Sequence, residues 1–337
     1  MLRGLLWIVL TLVGLGIAGC APASPVVVTV LPEPSPTPRL TRTQAPTATP
    51  LPPEATAPPA PTASPQPAHT PTTAPQPTAS PAPVVRLRLT ILYDNNRHAV
   101  GVETAWGFAC LVEGLEQTIL FDTGGDGPLL LRNMRRLGHA PAEVDAVVLS
   151  HAHGDHTGGL RAFLAENPTV TVYLPQSFPP GVKQTVIEAG ADLVEVSSPV
   201  EIVQGAMLTG ELGSGIREQA LVLSAPAGLV VLTGCAHPGI VTMVSAAKEV
   251  AGQAPDLVLG GFHLGSASAA EIDRIADDLR ALGVRRVAPC HCSGDLARAR
   301  FAAAFGPDAL LVGVGARLTL DADEDGPLDP GRTPRSR

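Results

Sequence analysis

Residues 149–160, LSHAHGDHTGGL, hold three of the chain's nine histidines within six residues, with an aspartate among them. Imidazoles packed this closely raise one another's cost of protonation. Neutral imidazoles beside a carboxylate are also the side chains that hold a metal ion. The segment follows the apolar run 146–149, which reads as a buried strand. In extended backbone His151 and His153 point to the same side, because side-chain direction repeats every two residues, so the pair can share one ion. Gly154 then offers a sharp turn that redirects Asp155 and His156 to a second position, and Thr157, Gly158 and Gly159 let the chain pass close to the site before a helix begins.

The remaining donors are expected at other strand ends. His237 follows the apolar run 229–232 in LTGCAHPGI, and His291 follows 287–289 in APCHCSGD. His151, His153 and His237 suit one zinc ion; Asp155, His156 and His291 suit a second, with open coordination positions left for water. Two adjacent cations acidify a shared water and clamp the oxygens of an in-line displacement, so the expected chemistry is hydrolytic. His263, in LGGFHL, is read as a substrate-side acid, a metal ligand or a core histidine. His98 is divided between a surface role and a substrate role, and His139, beyond a helix end, reads as structural.

The motif HxHxDH after a strand, preceded by the turn Phe121-Asp122-Thr123-Gly124, resembles the metallo-β-lactamase fold superfamily. Together the strings LYDNN, LFDTGG, LSHAHGDHTGGL, GLVVLTGCAHPGIV, GGFHL and PCHCSGD are similar to one subgroup of it. That subgroup takes its name from a dihydropterin ribofuranosylaminobenzene phosphate synthase, its members also being called metal-dependent hydrolases. The resemblance covers about residues 87–314. It implies a four-layer αββα sandwich, a buried Asp122 that orients the metal loop, and two divalent cations, zinc foremost with manganese or iron as alternatives. One departure stands out. The superfamily's later strand ends in Gly-Asp, whose carboxylate bridges the metals, whereas here Gly234 is followed by Cys235, which either takes over the bridge or stands behind it. Asn95, Asn96 and Arg217 are candidates for substrate contact, Arg217 through an anionic group. Its bland alternative is an exposed turn.

The elements that must position these residues occupy only part of the chain. Of 35 prolines, 20 fall in residues 21–84 among Thr, Ala, Ser and Gln, a composition that cannot bury enough surface to fold and reads as an extended stalk. Ahead of it Arg3, the apolar residues 4–17 and Ile17-Ala18-Gly19-Cys20 resemble a bacterial lipoprotein signal. The implied boundaries are a signal at 1–19, lipidated Cys20 with the stalk to 84, the folded domain at 85–320 and a tail at 321–337. That places the domain on the outer face of a cell membrane, held by lipid, with a small-molecule substrate. A net charge of −8 argues against a nucleic-acid groove. Such a location differs from that of pterin synthesis, and an external substrate is expected.

Within the domain, apolar runs predict strands at 87–93, 107–112, 118–121, 146–149, 170–174, 220–223, 229–232, 257–259 and 287–288. Pro128 and Gly138 bracket one helix, and Ser268 with Glu271 starts another that Gly283 ends. The expected act is hydrolysis of an ester-like bond, in a phosphoester, lactone or related molecule, by metal-bound hydroxide, with Asp155 and His263 at the chemistry. Two rival readings are an iron enzyme that oxygenates sulfur and a metal-containing binding module without catalysis. Cys110, Cys235, Cys290 and Cys292 leave the disulfide question open; only a bond between Cys290 and Cys292, two residues apart, is disfavoured.

Overall fold

The computed structural model describes residues 86–320. The expected signal, Cys20, the stalk and the tail lie outside the described residues. The first apolar run forms β1 (Leu87–Tyr93), followed by β2 (Ala109–Glu113) and β3 (Ile119–Phe121). Helix α1 (Gly127–Arg136) starts where the Asp126 carboxylate accepts the Leu129 N–H at 2.7 Å. This satisfies one of the donors that a helix start leaves free. β4 (Ala146–Val148) leads into a single helical turn, α2 (Gly154–Thr157), then α3 (Leu160–Glu166), β5 (Thr171–Pro175), α4 (Pro180–Ala189) and β6 (Asp192–Val196). The second half runs β7 (Val200–Val203), β8 (Ala206–Leu208), β9 (Leu221–Ala225), β10 (Gly228–Thr233), α5 (Ile240–Ala251), β11 (Pro255–Gly261), α6 (Ala269–Ala281), β12 (Arg286–Cys290), α7 (Gly294–Phe305) and β13 (Arg317–Leu320). Ser268 caps α6 through the Glu271 N–H, as its pattern predicts.

The strands form two sheets, β13-β1-β2-β3-β4-β5-β6 and β12-β11-β10-β9-β8-β7. Alternation along each strand divides the core. Cys110 and Val112 of β2, and Val230 and Leu232 of β10, face the space between the sheets. Leu111 faces α1, α3 and α4, while Leu229 and Val231 face α5, α6 and α7. The result is helices, sheet, sheet, helices: the αββα order that the resemblance implies.

One local expectation is corrected. Gly154 does not make a special glycine turn: it opens α2 without a positive φ, and a Cβ there would meet nothing within 4 Å. Asp155 and His156 are redirected by ordinary helical geometry, which turns successive side chains around an axis. Gly158 and Gly159 do act as expected: a Cβ on either would lie 2.3 Å from Gly125 O or 2.1 Å from Thr123 O. In addition, β6, β7, β8, β13, α4, α5 and α7 go beyond the elements read from the sequence. β6 and β7 are half-exposed strands without long apolar runs, and α7 is alanine-rich with little periodicity.

Candidate metal centre

The chemistry-bearing residues gather where strands of both sheets run out. Asp122 follows β3, Ser150 to His156 follow β4, and Cys235 and His237 follow β10; His263 and His291 follow β11 and β12. This is the end of an α/β sheet at which ligands characteristically bind.

At the first position, His151 Nε2 lies 3.1 Å from His153 Nδ1, which lies 3.2 Å from His237 Nε2. At the second, His291 Nε2 is 3.2 Å from Asp155 Oδ2 and 3.2 Å from His156 Nε2. Cys235 Sγ sits between them, 3.3 Å from His156 Nε2, and belongs to both donor groups. All six metal residues expected from the sequence are therefore brought together, with the Cys235 sulfur shared between the two groups.

The far sides of these rings are held in place. Asp122, buried and at φ 57, takes the Ser150 N–H, the Ser150 hydroxyl and His156 Nδ1, each at 2.7 Å. His291 Nδ1 is 3.2 Å from Asn95 Oδ1, and its backbone N–H donates to Asp94 Oδ2 at 3.1 Å. Asn95 thus orients His291, and Asn96 is bonded to Asp94 and Arg298. Fixing one ring nitrogen in this way leaves the other free as a ligand.

Glu218 was not legible as a site residue. It is wholly buried, and its carboxylate accepts the N–H groups of Gly234, Cys235 and Ala236 on Oε1 and of His237 on Oε2, at 2.8 to 3.0 Å. One side chain therefore shapes the loop that carries both Cys235 and His237. Its partners are backbone groups 16–19 residues away, which leave no trace in a motif. Trp106, 58% exposed, lies with its ring 4.9 Å from that of His291. As one of two tryptophans in a chain with 3% aromatics, it did offer a signal. Arg217 donates to Glu211 at 2.8 Å. With Ile216, Phe178 and His153 it lines a depression of about 220 Å³ beside the first metal position. His98 is exposed and outside the donor groups.

Burial, then the charges of His156, His237 and His153, holds His151 far below the ordinary histidine range. Burial, with His263 and His153 close by, brings His237 down to about 4. Burial opposes the Asp155 charge, but the His291 hydrogen bond and the His156 charge outweigh it and hold the carboxyl well below its usual range. The set is imidazole nitrogens, one carboxylate and one thiol, facing inward at van der Waals or hydrogen-bond distance. That is the donor chemistry of two divalent cations, and the residues fit them. Cys110, Cys235, Cys290 and Cys292 are all free and buried.

A family model of the metallo-beta-lactamase superfamily matches residues 107–291, from just ahead of β2 to the last donor. The chain belongs to that superfamily. Among curated proteins, it is 28% identical over 251 residues to the 7,8-dihydropterin-6-methyl-4-(beta-D-ribofuranosyl)-aminobenzene-5'-phosphate synthase of Methanocaldococcus jannaschii, covering 60% of this chain and 85% of the relative. Among solved structures it is similar to Tm1679, described as a metal-dependent hydrolase of the beta-lactamase superfamily, at 28% identity and TM-score 0.59, over 70% of this chain and 99% of that one. It shares its fold with YhfI of Bacillus subtilis, at 16% identity and TM-score 0.54, over 69% of this chain and 99% of that one. The protein thus has the superfamily's metal-dependent hydrolase fold, with a donor set typical of its two-metal sites.

Proposed function

We propose that this superfamily member hydrolyses an ester-like bond, a phosphoester or a lactone, in a small molecule, with His151, His153 and His237 holding one cation and Asp155, His156 and His291 the other. The observation that carries this reading is the convergence of six donors in two sets, one on each side of Cys235. Two cations held there supply water acidification and polarisation of the ester oxygen. The chain's own residues do the rest. Asp122, Ser150, Asn95 and Glu218 fix the donors, Trp106 walls the cleft beside His291, and the depression at Phe178, Ile216 and Arg217 receives the substrate's remainder. Arg217 keeps part of its guanidinium for an anionic group while Glu211 fixes it. A sulfur donor at Cys235 favours zinc over manganese.

The test is a panel of phosphodiesters, phosphomonoesters and lactones given to the zinc-loaded full chain and to His153→Ala and Asp155→Ala. At least one compound is expected to be turned over, with both variants slower by more than about a hundredfold, since even the partners of ligands cost 10–100-fold. Equal rates in wild type and both variants across the panel would refute the hydrolase reading.

A further inference from the structure

The two-cation reading uses every histidine at the cleft except His263, and it leaves the buried Cys292 thiol without a role. We propose that Cys235, His263 and Cys292 form a third cation site, thiolate-rich and selective for zinc, joined to the side of the hydrolytic centre. It rests on the proposed function only in sharing the Cys235 sulfur with that centre.

Topology carries the proposal. β10, β11 and β12 are neighbours and parallel, with Thr233 opposite Gly260 and Gly260 opposite Pro289. Their ends lie about 4.8 Å apart, the spacing of adjacent strands. Each donor falls two residues past its strand: Cys235 after Thr233, His263 after Gly261, Cys292 after Cys290. Continuing that register, His263 is level with Cys292 and Cys235 lies one residue short of them, so three adjacent ends bring their donors to nearly one height, and the ligand atoms all lie within 4.8 Å of one another.

The surroundings are shaped to this meeting. A Cβ on Gly261 would lie 2.6 Å from Cys292 Sγ and 3.2 Å from Cys235 Cα, so the Cys292 thiol and the Cys235 backbone close over a residue that must be glycine. His263 holds a left-handed backbone at φ 54, a conformation that strains a non-glycine residue. Packing alone gives no return for that strain on an exposed histidine, whereas a ligand role does. The loops that carry the donors are tied together, the Phe262 N–H donating to Ser293 Oγ at 3.0 Å and the Cys292 thiol to Cys235 O at 3.6 Å. Cys235 and Cys292 are buried and His263 faces solvent, leaving three protein donors and one side open to the cleft. Two thiolates, an imidazole and an open position make a zinc pattern, and thiolates disfavour magnesium and manganese. His263 is therefore assigned as a ligand, in place of a proton donor.

The test is zinc stoichiometry of the full chain, reduced, loaded and freed of loose metal, with cobalt substitution as a second readout. Wild type is expected to hold about three ions, and Cys292→Ser and His263→Asn about two each, one soft-donor site being lost. The cobalt form should show a sulfur-to-metal charge-transfer band that weakens in Cys292→Ser. Circular dichroism of each variant reports whether it has folded; should Cys292→Ser fail, His263→Asn at the surface still decides. Two ions in wild type and in both variants, lost on His156→Ala, would overturn the third site and leave the hydrolytic pair standing. One ion that survives His153→Ala and His156→Ala but is lost in Cys292→Ser would uphold the thiolate site and sink the two-cation reading.

Discussion

Four backbone N–H groups, from Gly234 to His237, converge on the buried Glu218 carboxylate. Hydrogen bonds to a charged acceptor are each worth about 1.5–3 kcal/mol, and a buried donor left without one costs a similar amount. Glu218→Gln keeps the shape but turns an amide N–H₂ toward at least one of these donors. It is expected to lose about 2–4 kcal/mol of stability and about 10–100-fold in zinc affinity, read by urea denaturation and by competition with a chromophoric chelator. Unchanged values on both would mean that the loop shapes itself. The contrast between Glu218 and His151 shows what was legible in the sequence. Ligands are written as a local pattern, because one strand end presents several of them. The residue that holds a ligand through the backbone of a distant loop writes no pattern at all. Asn95 illustrates a third case: its polarity and place near the cleft were visible, but whether it faced a substrate or His291 depended on a contact 196 residues away.

At the scale of the element, close approach rather than turn chemistry decides which glycines matter. Gly159 is where α3 meets the β3 end, and a Cβ there would lie 2.1 Å from Thr123 O, a backbone atom that cannot swing away. Gly159→Ala is expected to destabilise by about 1–3 kcal/mol, the usual cost of overpacking. Gly154→Ala, in open space at the start of α2, is expected to be neutral or to stabilise by about 0.5–1 kcal/mol, since alanine suits a helix better. Paired thermal denaturation of the metal-free proteins checks both, and a reversed order would refute the assignment of α2 as a plain helical turn. The buried strands were readable because both faces are covered, giving unbroken runs such as those of β4 and β10. The edge strands β6 and β7 and the alanine-rich α7 carry weak periodicity, and only tertiary packing decides them.

For the whole molecule, we read the apolar start that closes at Cys20, with the proline-rich residues after it, as a lipid anchor and spacer carrying the domain outside the cytoplasm. Cys20→Ser in a bacterial host should abolish incorporation of labelled palmitate and move the protein out of the detergent-extracted membrane fraction. Label retained by the variant would refute the anchor. The described domain is built from two halves of like plan. β3 to β6 run parallel in one sheet and β10 to β12 in the other, and both sets end at the same seam. Such a plan separates what must be kept from what is free to vary. The donors ride on strand ends that the core fixes, whereas Ile216 and Arg217, which line the depression, belong to no core cluster. New substrates can therefore be acquired by rewriting the rim without redrafting the scaffold. The fold's history is then best sought in its strand ends, and its present occupation in its loops.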